Sequence, residues 1–427
     1  MSSFKKRVQT SQTKLPQGTR LSPYNGQLLI STGVPSLDDI LGGGIPIGSV
    51  LLIKEDRHTE YAKLLLKYFL VQGIVSENHV LFSTLEEEDS KNFMMGLPWL
   101  VNENDDNNDD DENITPESEE KMIIAWRYKG LKKFESSVKN KSNIQNKILN
   151  DTIGTKSQQN IEKPFCSTFD LTKSIPQNII LENKLMTLIN LSEKNDEIIE
   201  NFNPYNTLLN TIRKVIEENH FSSLSKPSLN VERNVLRIGI HSIASPSWQS
   251  KSSHDLFVFL HTLRGLLRFS FGAAVITIPA YLYTSSSSET SSFVRRIEHM
   301  CDAVVEVESF AGSPANTNAI YSATYHGLFH VHKLPTLNSL VPSSAKLSVL
   351  SGGGGNNLGF KLRRKKFTIE TFHLPPEGGI NERRVSEKDQ TNKSKKKDDK
   401  NKNKSGIGVS GSGCGTIPGR KVDPYDF

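Results

Sequence analysis

The stretch that decides the fold runs from Gln27 to Gly73: QLLISTGVPSLDDILGGGIPIGSVLLIKEDRHTEYAKLLLKYFLVQG. It opens on a polar turn, Ser31-Thr32-Gly33, and a short amphipathic segment, Pro35 to Leu41. Three glycines, Gly42 to Gly44, break that segment, and Pro46 and Gly48 shape a tight turn. Val50-Leu51-Leu52-Ile53 is an unbroken apolar run of strand length, the signature of a strand buried on both faces. Tyr61, Leu64, Leu65, Tyr68 and Phe69 then recur at helical spacing up to Val71. Strand, loop and helix make the opening unit of a parallel α/β sheet.

In such a unit the strand-to-helix loop is where a phosphate sits, and holding one takes the pattern G-x-x-x-x-G-K-[ST]. Glycines let backbone N–H groups close on the phosphates, lysine adds a point charge, and the hydroxyl reaches magnesium. Here the loop reads Lys54-Glu55-Asp56-Arg57-His58-Thr59-Glu60-Tyr61. The length fits but the chemistry is missing. Lys54 and Thr59 stand at the glycine positions, Glu60 at the lysine and Tyr61 at the hydroxyl. Glu55, Asp56 and Glu60 would repel a triphosphate. The expectation is a nucleotidase scaffold with a dead nucleotide loop, no catalytic residue and no cofactor.

Further strands follow. His79–Phe82 leads into Thr84-Leu85-Glu86-Glu87-Glu88, where Glu86 reads as the start of a solvated acidic helix rather than a relic base. Val235–Ile240 ends in His241-Ser242, with no carboxylate at the tip to order a magnesium shell. A helix over His254–Phe269, a strand over Ala273–Ile278, a helix over Phe293–Cys301 and a strand over Ala303–Val307 continue the alternation of an open parallel sheet. Tyr321–Leu334 reads as a long strand with His326, His330 and His332 on one face. No carboxylate or thiol is near them in sequence, so packing is expected there and not a metal site. Phe360–Leu374 supplies the last strands, with Arg363-Arg364-Lys365-Lys366 between them.

Composition sets the remaining bounds. The chain has 427 residues, 36% of them hydrophobic, which is low for a fully folded chain. Residues 101–120 hold ten Asp or Glu and no Lys or Arg. The other residues, with 52 basic and 37 acidic side chains, therefore carry +15. A basic body with an acidic insert suits an RNA partner, and equally a solvated surface with charged tails. Cys166, Cys301 and Cys414 form no C-x-x-C, which gives neither a zinc knuckle nor a disulfide framework and makes a reducing compartment the default. MSSFKKRVQT lacks the apolar core of a secretory signal, and no apolar run is long enough to span a bilayer. The expected organisation is a flexible arm over 1–26 and one domain over 27–380. Low-complexity insertions at about 101–120 and 136–160 and an expanded insertion at about 177–230 interrupt that domain. A disordered basic tail covers 381–427. Helical runs at Ile179–Leu191 and Leu208–Glu217 fall in the expanded insertion.

The leader L-D-x-I-L-G-G-G-I-P-x-G-S-V-x-L-I resembles the RecA/KaiC superfamily of ring-forming ATPases. Loss of the phosphate loop, together with IAWRY (Ile124–Tyr128), LRI to HSIASP (Leu236–Pro246), YHGL (Tyr325–Leu328) and FTIETFHLPP (Phe367–Pro376), narrows the resemblance to the Elongator accessory subunits. No single motif is decisive; their order along one chain is specific. The resemblance implies a RecA-like, mostly parallel twisted sheet flanked by helices. It implies a non-catalytic ring subunit whose partners are Elongator proteins 5 and 6, the catalytic Elongator subunits and tRNA. Support of wobble-uridine (U34) modification, in cytoplasm and nucleus and without a membrane, is implied with it. Two alternatives stand beside it, an active KaiC-type ATPase and a dead recombinase paralogue that binds DNA. In ring-forming relatives the loop after the Ala303–Val307 strand faces the channel. This makes Ser309, Gly312, Ser313, Asn316 and Asn318 candidate nucleic-acid contacts through backbone and amide groups. Arg363, Arg364, Lys365 and Lys366 are the candidate phosphate contacts.

Overall fold

The computed structural model describes residues 15–85, 90–101, 164–191, 203–224, 233–250, 252–283, 291–311, 325–338 and 358–371. All lie in one compact unit, Met1–Leu374; the second unit, Pro375–Phe427, lies outside the described residues. So do Glu86, the Ile124–Tyr128 segment, the insertions at 102–120 and 136–160, and the tail from 381.

A nine-stranded sheet forms the frame. Six strands are mutually parallel: β4 (Val50–Lys54), β5 (His79–Thr84), β8 (Met186–Asn190), β9 (Leu236–Ile240), β10 (Gly272–Ile278) and β11 (Ala303–Ser309). Three antiparallel strands extend one edge: β12 (Gly327–Lys333), β13 (Leu358–Leu362) and β14 (Phe367–Thr371). The order is β14-β13-β12-β11-β4-β10-β9-β5-β8, and β4 sits inside it, buried throughout. Its run needs no alternation because both faces are covered. Leu51 and Ile53 enter one core layer and Val50 and Leu52 the other. A small three-stranded sheet of β1 (Thr19–Leu21), β2 (Leu28–Ile30) and β3 (Ile45–Pro46) precedes it, and β6 (Pro98–Leu100) pairs with β7 (Phe169–Ser174).

Helices α1 (Pro35–Ile40), α2 (Tyr61–Val75), α3 (Ser90–Met95) and α4 (Gln177–Glu182) contribute to the first layer. Helices α5 (Pro204–Glu218), α6 (Ser253–Arg268) and α7 (Ser292–Met300) contribute to the second. Each of the last three is started by a polar cap: Asn203, Ser252 and Ser291 accept from backbone N–H groups of the first turn. The loop before α1 depends on Gly33, at φ +85°, because a Cβ there would stand 2.4 Å from the Tyr68 carbonyl oxygen.

The run read as helical over Ile179–Leu191 divides. α4 stops at Glu182, and Met186–Asn190 becomes the edge strand of the main sheet, parallel to β5. The apolar periodicity there serves a strand because an open edge beside β5 offers ladder hydrogen bonds, a pairing the local pattern does not encode. Residues placed in an insertion from sequence thus build the sheet, and α5 covers it with Leu208, Ile212 and Val215 buried. The long strand expected over Tyr321–Leu334 is β12 alone among the described residues; Tyr325 and His326 precede it as irregular chain.

Candidate functional site

The site is the turn from β4 into α2. Lys54 ends the strand with its side chain 6% exposed, and its ammonium meets Glu306 at 2.7 Å and Glu298 at 3.3 Å. A residue standing where a flexible glycine would be needed is thus anchored inward by two carboxylates. Asp56 then folds the turn on itself, its Oδ2 accepting from the His58 N–H at 3.2 Å and the Thr59 hydroxyl at 2.8 Å. Glu60 is exposed and lies 3.6 Å from Lys63. The turn contains no glycine, so its N–H groups are not arranged around a phosphate by the usual freedom of backbone.

Tyr61 begins α2 and points into apolar packing. Its ring meets Phe360 edge-on at 4.7 Å and Phe367 at 6.3 Å, and Phe360 stacks on Phe367 at 5.3 Å. Burial, and then the nearby Asp56 carboxylate, pushes its phenol above the usual tyrosine range. The β13–β14 hairpin therefore lies against the first turn of α2. Between them is a shallow cleft of about 380 Å³, lined by Thr59, Glu60, Tyr61, Lys63, Lys67 and Leu362.

The hairpin turn is Arg363–Lys366, closed by the Arg363 N–H donating to the Lys366 carbonyl at 2.9 Å. Arg363, Arg364 and Lys366 are exposed and Lys365 is half-buried. The Lys365 carbonyl accepts from the Leu171 N–H at 2.9 Å, which ties the turn to β7. Two of the residue sets singled out in the sequence are thus neighbours. Lys63 and Lys67 join them, with their ammonium groups 5.7 and 5.1 Å from the Phe93 ring. Sequence reading missed these two lysines. The available signal was an i,i+4 cationic pair on the polar side of α2.

The tip of β9 has no carboxylate of its own, but the Ser242 hydroxyl there donates to Glu55 Oε2 of the β4–α2 turn at 3.4 Å. His241 is buried, donates its N–H to the Ser83 carbonyl at 3.0 Å, and sits with Nδ1 3.4 Å from the Thr84 hydroxyl. Ser242 follows with φ 51°, held by its N–H donating to the Thr277 hydroxyl at 2.7 Å. Of the candidate channel loop only Ser309 is described. It ends β11, and its hydroxyl accepts from the Ala311 N–H at 3.1 Å. Gly312, Ser313, Asn316 and Asn318 lie outside the described residues.

The histidines of β12 correct one expectation. Carboxylates do lie beside them, because β11 pairs with β12 with Glu306 opposite His330. His330 Nε2 is 2.8 Å from Glu308, and His332 Nε2 is 2.6 Å from Glu306. His326 turns elsewhere, its Nδ1 accepting from the Leu362 N–H at 3.2 Å. Among the described residues no group of three or more His, Cys, Asp or Glu could hold a metal ion. Burial pushes Glu306 up. The His332 hydrogen bond and the Lys54 charge outweigh it and hold the carboxyl at about 2. This cluster is an ionic clamp between β4, β11 and β12, and it fixes the strand end from which the turn departs.

The fold and site define an open-sheet α/β protein whose strand-to-helix turn is without the glycines of a phosphate loop. Residues 11–406 match the PAXNEB protein family. Elongator complex protein 4 of Xenopus laevis is 36% identical over 403 residues, covering 91% of this chain and 89% of that protein. The Homo sapiens protein of the same name is 37% identical over 389 residues, covering 87% and 82%, and that of Dictyostelium discoideum is 33% identical over 394 residues, covering 89% and 82%. The chain belongs to this family, that of Elongator complex protein 4.

Proposed function

We propose that the chain is a non-catalytic subunit of the Elongator complex, joining Elongator proteins 5 and 6 in a ring of RecA-like subunits. The ring supports tRNA binding and wobble-uridine modification by the catalytic subunits, in cytoplasm and nucleus. Membership of the family of Elongator complex protein 4 over nine-tenths of the chain carries the reading. The absence of catalysis rests on the turn. Tyr61 is committed to Phe360 and Phe367, Lys54 to two carboxylates, and Glu60 stands where a phosphate-binding cation is needed. The tRNA surface in this reading is Lys63 and Lys67, which line the cleft, together with the turn Arg363–Lys366 that follows its lining residue Leu362.

Two measurements test it. Affinity purification of the tagged full-length chain with mass analysis is expected to return Elongator proteins 5 and 6 in stoichiometric amounts. Calorimetric titration of the isolated chain with ATP and magnesium is expected to give no binding, and a phosphate-release assay no turnover. Micromolar ATP affinity would remove the argument from the turn and restore the active-ATPase alternative.

A further inference from the structure

Helix α6 lies between α5 and α7, and its outward side carries two unlike flanks. Toward α7, Arg264 and Arg268 stand one turn apart and both reach Asp302 Oδ1, at 3.0 and 2.6 Å. Asp302 also accepts from the Val50 N–H at 3.0 Å and is 5% exposed, whereas the two arginine side chains are 39% and 26% exposed. Lys333 closes the group, donating to the carbonyls of Cys301 at 2.5 Å and His299 at 3.3 Å. Two guanidinium groups therefore share one buried carboxylate, with the Lys333 ammonium held beside them by carbonyl oxygens. Burial first, and then the charge of Arg264, holds the Lys333 ammonium below the usual lysine range. The nearest acid on α7, Glu298, faces inward to Lys54.

Toward α5 the surface is apolar. Phe269, just past the end of α6, is 59% exposed, and Leu224 is 78% exposed. The segments that carry them are joined, because Ser223 donates to the Phe269 carbonyl from its N–H at 2.8 Å and from its hydroxyl at 2.9 Å. Gly265 lies between the flanks, and a Cβ placed on it would touch nothing within 4 Å. A backbone can approach closely there.

We infer that this face is a docking surface for an acidic segment of a partner protein that carries apolar side chains. Guanidinium forks suit carboxylates, and the cations left over by Asp302 supply complementarity for them. Leu224 and Phe269 supply an apolar anchor beside that charge. A nucleic acid would use the cations and gain nothing from Leu224. The face lies at the N-terminal end of β4, the opposite end of that strand from the turn into α2, so it is separate from the proposed tRNA rim.

Fluorescence anisotropy on the full-length chain tests this with two labelled probes. One is a short synthetic peptide of glutamate and leucine in helical register; the other is an oligouridylate. One variant is the pair Arg264→Gln with Lys333→Gln. The other is Leu224→Ser with Phe269→Ser, both exposed positions whose exchange leaves the core intact. Each pair is expected to weaken the peptide roughly tenfold or more, and only the first to flatten its salt dependence. Oligouridylate affinity is expected to stay unchanged in the Leu224 and Phe269 variant. The inference is overturned if the peptide fails to bind the unaltered chain, if the Leu224 and Phe269 variant binds it as before, or if that variant loses oligouridylate to the same extent.

Discussion

Two carboxylates titrate in opposite directions, and both effects can be read as stability. Glu306, held at about 2 by His332 and Lys54 against its burial, has its charged form favoured by folding. Its contribution is complete above its unfolded value of about 4.5 and is lost as pH falls toward 2. A shift of that size corresponds to at most about 3 kcal/mol. Glu306→Gln is expected to lower unfolding stability near neutral pH by an amount of that order. The two chains should converge below about pH 2 in urea titrations run at stepped pH. Asp38 behaves in reverse. Burial lifts its carboxyl to about 6, against hydrogen bonds from Ser31 and from the N–H and hydroxyl of Thr32. Its neutral form is the favoured one, so its contribution is complete below about 3.8 and is lost as pH rises through about 6. Asp38→Asn is expected to remove the part of the stability decline that falls between those limits. A variant whose decline matches the unaltered chain would place the titration on another group.

At the level of elements, the β13–β14 hairpin is the one that gives the turn its surroundings. Its aromatic side fills the space before α2 and its turn presents Arg363–Lys366 beside the same cleft. Charge reversal at these four positions is expected to weaken tRNA binding by the assembled ring and to reduce its salt slope, by roughly 0.7–0.9 for each phosphate that is no longer neutralised. Gel filtration before filter binding separates this from a defect of assembly. An intact ring with unchanged affinity and slope would exclude the turn from recognition. Tyr61→Ala tests the packing side. Removing an edge-on aromatic ring from a half-buried position is expected to cost about 2 kcal/mol in unfolding experiments, without creating ATP affinity.

For the whole molecule, the sequence separates a folding part from segments with little apolar periodicity, at 101–120 and 381–427. The second coincides with much of the unit Pro375–Phe427. A chain lacking residues 103–120 and 381–427 is expected to melt within a few degrees of the full chain. A fall of many degrees would mean that these segments bury surface.

What the sequence determined by itself was the local grammar. The apolar run at Val50–Ile53, the helical spacing from Tyr61, and the break at Gly42–Gly44 were enough to set strand, turn and helix, because each is fixed by periodicity within a few residues. The missing glycines of Lys54–Tyr61 were legible for the same reason. Tertiary structure decided which distant segments meet. It made Met186–Asn190 an edge strand, because β5 offered it ladder partners from about a hundred residues away. It set Glu306 opposite His330 through strand register, which sequence spacing between β11 and β12 does not state. It also brought Lys63 and Lys67 to the same cleft as Leu362, the residue that leads into Arg363–Lys366, a neighbourhood made by a hairpin closing on a helix nearly three hundred residues earlier. Local pattern fixes what an element is; which surface it covers depends on long-range pairing and burial that only the folded chain resolves.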